Sequence, residues 1–268
     1  MRPAAIFLIL FTTLSLAKAQ DSPALSVECP AQGRTVTTDP NGNLYVTDGA
    51  TLFKLNADGE ILFRYTNFQQ GNISSIDVDN PLKIMVFYKE ASLILFLDEK
   101  LVPVMEPLDL FSRFHNIALA TYSTDNTIWL YDEVLQDLIN INFQLDEISR
   151  NHLSWEDFHP LRFYSLQEKQ LAMCTEESIY YFDAFGTYLK QLPFPHVVTV
   201  YNSAIDYASS IGSDHSMTLT RYDTRRMSSS TLGSCGPVLN DSCDAITIYK
   251  NRIFFIDNKF QLNYVIIP

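Results

Sequence analysis

Leu52-Phe-Lys-Leu-Asn56-Ala-Asp-Gly-Glu60-Ile61-Leu-Phe-Arg-Tyr65 reads as an apolar strand, a tight turn opened by an asparagine, and a second strand. The same strand ending in Asp or Asn returns at Ile94-Leu-Phe-Leu-Asp98, Leu138-Ile-Asn-Ile-Asn142, Ile179-Tyr-Tyr-Phe-Asp183 and Leu219-Thr-Arg-Tyr-Asp223. Successive turn residues stand 42, 44, 41 and 40 positions apart. A superperiod of about 40 residues made of short strands marks a β-propeller blade, a four-stranded unit that buries its faces only against its neighbours. A β-sandwich or two small β domains would space strands similarly, but neither requires the common superperiod.

Working outward from this unit, the spacing predicts an all-β chain: one six-bladed β-propeller of four-stranded blades. Blade one takes strands near 35–38, 44–47, 52–55 and 61–65, with Asp39-Pro-Asn-Gly-Asn43 and Asn56-Ala-Asp-Gly59 as hairpin turns. Blade two is expected at 75–78, 83–88, 93–97 and 101–105. Blade three falls at 117–122, 127–131, 137–141 and about 145–149, and blade four at 161–166, 170–175, 178–182 and 188–192. Blade five, serine-rich, takes 197–201, 205–210, 217–222 and 226–231. The last blade shows three strands, 245–249, 252–256 and 261–266, so its fourth is expected from the N-terminal side at Ala24-Leu-Ser-Val-Glu28. That pairing closes the ring and removes an open edge. Nothing between 21 and 268 sustains a long 3.6-residue apolar period, although 146–157 could form a short helix.

Residues 1–19 read as a signal peptide and 20–268 as the propeller domain. Arg2 supplies the basic start, Ala4 to Ala17 the apolar stretch, and Ala17-Lys-Ala19 the cleavage pattern, with cleavage before Gln20. The apolar stretch is shorter than the about 20 residues a membrane span needs. The leader places the protein in the periplasm of a Gram-negative cell. Removing Arg2 and Lys18 leaves 17 basic residues against 31 acidic ones, a net charge of −14. Such acidity opposes binding to nucleic acid or anionic lipid. Arg221, Arg225 and Arg226 form the one basic cluster, read as a solvated edge beside a hairpin.

Four cysteines in an oxidising compartment suggest a disulfide, and the turn-rich loop between Cys235 and Cys243 is short enough to close it. Cys29 and Cys174 are left unassigned. No C-x-x-C pair or H-x-x-x-H pair points to zinc, and His115, His152, His159, His196 and His215 read as loop histidines. Asp39-Pro-Asn41-Gly-Asn43 imitates the start of a calcium loop, but Ala50 stands where the closing Glu belongs, so a hairpin turn is the better reading. No nucleophile elbow, phosphate loop or dinucleotide fingerprint occurs. The chain is therefore expected to have no catalytic, cofactor or metal site. The alternative is a calcium-dependent lactonase- or lyase-like enzyme working at the central channel, with Asp77, Asp79 and Asp206 on suitable strands. Two aromatic loops between blades, Phe111-Ser-Arg113-Phe114-His115 and Trp155-Glu-Asp-Phe158, combine the residue types that binding surfaces use, although filling the gaps between blades explains them as well.

Blade two, Ser75-Ile-Asp-Val-Asp-Asn-Pro-Leu-Lys-Ile-Met-Val-Phe-Tyr-Lys89 with Ile94-Leu-Phe-Leu-Asp98, and Thr127-Ile-Trp-Leu-Tyr-Asp132 in blade three carry a resemblance. They resemble a family of small periplasmic propellers in bacteria that use type IX secretion, among them the plug at the periplasmic mouth of the outer-membrane translocon. The resemblance covers about two blades. It implies a non-enzymatic subunit whose partner is the outer-membrane secretion barrel, capped while idle, and it assigns no contact residue.

Overall fold

The computed structural model describes residues 27–28, 34–156, 158–201 and 203–267; the expected leader, its cleavage point, residues 24–26 and Cys29 lie outside them. The first described strand, β1 (Val27–Glu28), belongs to the last blade. Blade one is β2 (Thr35–Thr38), β3 (Leu44–Asp48), β4 (Thr51–Leu55) and β5 (Ile61–Thr66). Blade two is β6 (Ser75–Asp77), β7 (Ile84–Tyr88), β8 (Leu93–Leu97) and β9 (Leu108–Asp109). Blade three is β10 (Ile117–Tyr122), β11 (Ile128–Asp132), β12 (Asp137–Ile141) and β13 (Glu147–His152). Blade four is β14 (Arg162–Ser165), β15 (Leu171–Cys174), β16 (Ile179–Phe182) and β17 (Tyr188–Leu192). Blade five is β18 (Val197–Val200), β19 (Ala204–Ile211), β20 (Met217–Asp223) and β21 (Ser228–Cys235). Blade six is β22 (Ile246–Tyr249), β23 (Arg252–Ile256) and β24 (Gln261–Ile266), completed by β1, which pairs antiparallel with β24 through Val27↔Leu262 and Glu28↔Gln261. Each blade is thus a four-stranded antiparallel sheet, and the ring closes through the N-terminal strand as the sequence predicts.

The recurring Asp or Asn holds the turns. Asn56 Oδ1 accepts the N–H groups of Asp58 and Glu60, Asp98 those of Lys100 and Val102, Asn142 those of Gln144 and Asp146, and Asp183 those of Phe185 and Thr187. Backbone bonds close the same four turns in the same way, and the third residue after the Asp or Asn is left-handed: Gly59, Leu101, Leu145, Gly186. Asx side chains favour such turns because their oxygen reaches N–H groups that the reversing chain leaves unpaired.

Alternation along the middle strands builds the core. In β7, Ile84, Val86 and Tyr88 face blade one, while Met85 and Phe87 face blade three. In β8, Leu95 and Leu97 face one way, Ile94 and Phe96 the other. The apolar core is therefore a set of clusters between blades, with the seams of blades five, six and one merged into one. At the closing seam Gly42 adopts φ +89° against the Tyr249 ring, where a Cβ would come within 2.4 Å of that ring.

Two local expectations change. The outer strand of blade two does not run over 101–105. Only Pro103 bridges to Leu97, and pairing resumes at β9. Leu101 is spent closing the turn at φ +61°, and Pro103 and Pro107 have no N–H to give a ladder. The expected short helix over 146–157 is not formed: over 146–156, the described part of that stretch, the chain forms β13 and then a loop.

If the Asx grip sets each turn, Asp183→Ala should lower unfolding stability by about 1–2 kcal/mol. In urea the midpoint should fall with the slope unchanged, and Asp183→Asn should recover most of the loss. An unchanged midpoint in Asp183→Ala would show that the backbone holds this turn unaided.

Candidate functional site

The first strands of the blades contact one another around the ring, β2 against β22, β6 against β10, β10 against β14 and β18 against β22, and so line the central channel. Antiparallel order gives these inner strands one common polarity. Their C-terminal ends, with the hairpin turns that follow, form one mouth. Their N-terminal ends, with the connections between blades, form the other.

At the turn-side mouth Asp77 ends β6. Its Oδ2 accepts from Thr121 Oγ1 and from the Tyr122 N–H, each at 3.0 Å, which ties blade two to blade three. Its Oδ1 accepts the Asp79 N–H at 3.2 Å. Asp79 is exposed at this mouth; the strands around it and then the adjacent Asp77 push its carboxyl up to about 7. Tyr201 stands at the same mouth, just after β18, with its hydroxyl 3.5 Å from Ile248 O of blade six. Burial, then the charge of Asp206, raise it to about 12, and Asp79 adds to the shift, so the two groups share one field. Asp206 is fully buried on β19, with both oxygens gripped by Arg221 at 2.6 Å.

At the other mouth Arg162, at the start of β14, reaches across two blades. It bonds the carbonyls of Val197 and Val198 and pairs with Asp244 at 2.7 Å. A cleft of about 470 Å³ opens here, lined by Arg34, Thr35, Asn240, Ser242, Asp244 and Phe260. Among the described residues no three His, Cys, Asp or Glu side chains converge to hold a metal. Asp77 and Asp79 do come together, but Asp206 is closed off by Arg221. The calcium-like stretch is a hairpin turn: Asp39, almost wholly buried, accepts from the Asn41 and Asn43 N–H groups, Asn43 Nδ2 and Tyr45 Oη.

The expected disulfide is not formed: Cys235 and Cys243 are free thiols. The loop between them does not close tightly, because Val238 and Leu239 are drawn into the core. Cys235 is buried opposite Met217, and Cys243 Sγ donates to His196 O at 3.2 Å. Burial holds both thiols above their ordinary range, Cys235 at about 12.

The aromatic loops divide. Phe114 is buried between blades two and three, and Phe158 between blades three and four. Half-buried Trp155 meets Phe158, Tyr180, Phe182 and Tyr188 in ring contacts, so this loop fills the gap between blades. Arg113 bonds Leu145 O at 2.6 Å and Asp146 Oδ1 at 3.1 Å. Of the four aromatic residues Phe111 alone projects, 64% exposed, with the His115 ring beside it at 5.3 Å; Arg113 is exposed too. Exposed Phe68 and Leu161 lie on the other blade connections of this side, and Val134 and Leu135 on a hairpin turn of the same side. These four were not singled out from sequence, although Phe68 within Asn67-Phe-Gln-Gln-Gly-Asn72 is an aromatic in an otherwise polar loop.

The Asp79 carboxyl gives a signed pH dependence. In an unfolded chain it titrates near 3.9, and in the folded chain near 7, so between those values the folded state holds the extra proton. Stability is therefore fully present at low pH and is lost as pH rises from about 4 to about 7. The advantage of Asp79→Asn over the parent in melting temperature should be small at pH 4, grow through pH 5 and 6, and level off by pH 8. An equal offset at pH 4 and pH 8 would refute the assignment.

No family model matches the chain, and no curated protein does. Among solved structures it is similar to virginiamycin B lyase from Staphylococcus aureus, at 11% identity over 91% of this chain and 99% of that one, with a TM-score of 0.60. A putative exported protein from Bacteroides fragilis gives 10% identity, 90% and 92% coverage and a TM-score of 0.57. A streptogramin B lyase gives 14%, 91% and 86%, and 0.53. At these identities the likeness is one of fold: the chain is a six-bladed β-propeller.

Proposed function

We propose that the protein is an exported, non-enzymatic propeller that works in the periplasm by binding a protein partner, and that this partner is the outer-membrane barrel of the type IX translocon, whose periplasmic mouth it caps. The observation that carries partner binding is the set of exposed apolar side chains on the connection side of the disc, Phe68, Phe111, Val134, Leu135 and Leu161; the turn side also exposes Leu82, Phe185 and Met227. Exposed aromatic and aliphatic groups on a folded surface mark interaction sites. The acidic composition turns the choice away from lipid and nucleic acid. A disc whose blades are already paired internally can cover a pore without first ordering a long segment. The choice of this barrel rests on the resemblance in blades two and three, and the exported Bacteroides neighbour is compatible with it.

A second reading, a lyase- or lactonase-like reaction at the channel, is favoured by the placement of Asp79 beside Asp77 at the channel mouth, where the surrounding strands and Asp77 push its carboxyl up. The two readings separate in a melting scan with calcium and with chelator: a metal-dependent enzyme shifts, a binding subunit does not.

Tagged protein purified from its native host with secretion blocked should recover the giant barrel subunit. The double variant Phe68→Asp, Phe111→Asp should reduce that recovery by at least about tenfold with its melting temperature unchanged. Recovery without the barrel would defeat the capping role, and undiminished recovery with the double variant would defeat this face.

A further inference from the structure

The outer strands of the six blades differ in how they guard their free edges. β5 carries Arg64, β13 carries Glu147 and Arg150, and β17 carries Lys190, while β9 and β1 have two residues each. Charge and brevity are the usual means by which an edge strand avoids pairing with a foreign chain. β21 has neither. It runs eight residues, Ser228-Ser-Ser-Thr-Leu-Gly-Ser-Cys235, without a charge.

Its first half is open. Ser228, Ser229, Ser230 and Thr231 are all exposed and pair in unbroken register with Asp223, Tyr222, Arg221 and Thr220 of β20. Among the described residues their backbone bonds run to β20 alone. On the far edge alternate N–H and C=O groups point outward, as in any antiparallel edge. The side chains there are small, so an incoming strand meets no steric barrier.

The turn that leads into this edge adds charge. Asp223 holds the backbone N–H groups of Arg225 and Arg226, which leaves both side chains outside. The Arg226 guanidinium reaches Asp223 only at 3.9 Å, with its side chain 83% exposed. In a chain of net charge −12, two exposed arginines at the end of a neutral edge reverse the local sign.

We infer that the edge of β21 takes an extended segment of another protein as a fifth, antiparallel strand, held by backbone hydrogen bonds along Ser228–Thr231 and by Asp or Glu side chains near the segment's C-terminal end that pair with Arg225 and Arg226. Antiparallel addition brings that end to the start of β21, where the arginines lie. Backbone bonds supply the affinity in this mode and the charge selects the segment. The site is on the rim, apart from the face proposed above, and the two stand or fall separately.

Fluorescence anisotropy with labelled ten-residue peptides tests the site on the full mature chain. One probe alternates Thr and Val and ends in Glu-Glu; a second ends in Lys-Lys; two more carry alternate backbone N-methyl groups on the Glu peptide, one set in each register. The Glu peptide should bind at least about tenfold more tightly than the Lys peptide, and the double variant Arg225→Glu, Arg226→Glu should reverse that order. One N-methyl register should abolish binding. Ser230→Pro should do the same, and Ser229→Lys, which adds the missing guard, should weaken binding if the proline variant does not fold. No saturable binding up to about 1 mM, equal binding of both peptides, or indifference to N-methylation in either register would overturn the inference.

Discussion

An oxygen of Asp or Asn holding two N–H groups of the following turn is the contact on which this fold depends. Besides Asn56, Asp98, Asn142 and Asp183, Asp39 and Asp257 grip the second and fourth N–H groups after them, and Asp223, the fifth turn of the repeat, grips the second and third. A blade needs its strands reversed at fixed register, because a slip of one residue would send β7's Ile84, Val86 and Tyr88 to the wrong neighbour. The Asx grip fixes register locally, before any blade touches another. The strength of the grip shows where the left-handed position is not glycine: Leu101, Leu145 and Phe260 accept a conformation that costs a side chain about 1 kcal/mol.

The same contact explains what could be read from sequence. Strand, Asx and turn are local, so their spacing located nearly every strand and the closing role of the N-terminal segment. What escaped was decided by tertiary burial. The turn-rich loop between Cys235 and Cys243 looked ready to close a disulfide, yet Val238 and Leu239 sit within it and belong to the core. Phe111 and Phe114 are indistinguishable as letters three apart, yet one projects and the other is the wedge between blades. Pairing of Asp79 with Asp77 was open to a reader of the sequence; that Arg221 closes off Asp206 depends on cross-strand register.

Polar groups along the axis mostly connect blades to each other. Asp77 binds blade two to blade three, Arg162 joins blade four to the carbonyls of blade five and to Asp244 before blade six, and Thr38 meets Thr247 across the closing seam. Among the described residues these contacts brace the channel from blade to blade. The outer surface is where blades differ, in exposed apolar loop residues and in unequal edges around the rim.

Of the described strands, the one that completes blade six is made first and its partner β24 last. Val27 must find Leu262, and bringing together chain ends so far apart costs about 5 kcal/mol of loop entropy. A two-residue pairing cannot offset that. The merged cluster of blades five, six and one, with Tyr249 seated over Gly42, has to bring the ends within reach first. The nascent chain can therefore stack blades one to five as it emerges, but it remains an open arc, with the facing sides of blades one and five unpaired, until β22 to β24 have been made. The seam between blades six and one is both the last part to form and the first expected to part under load.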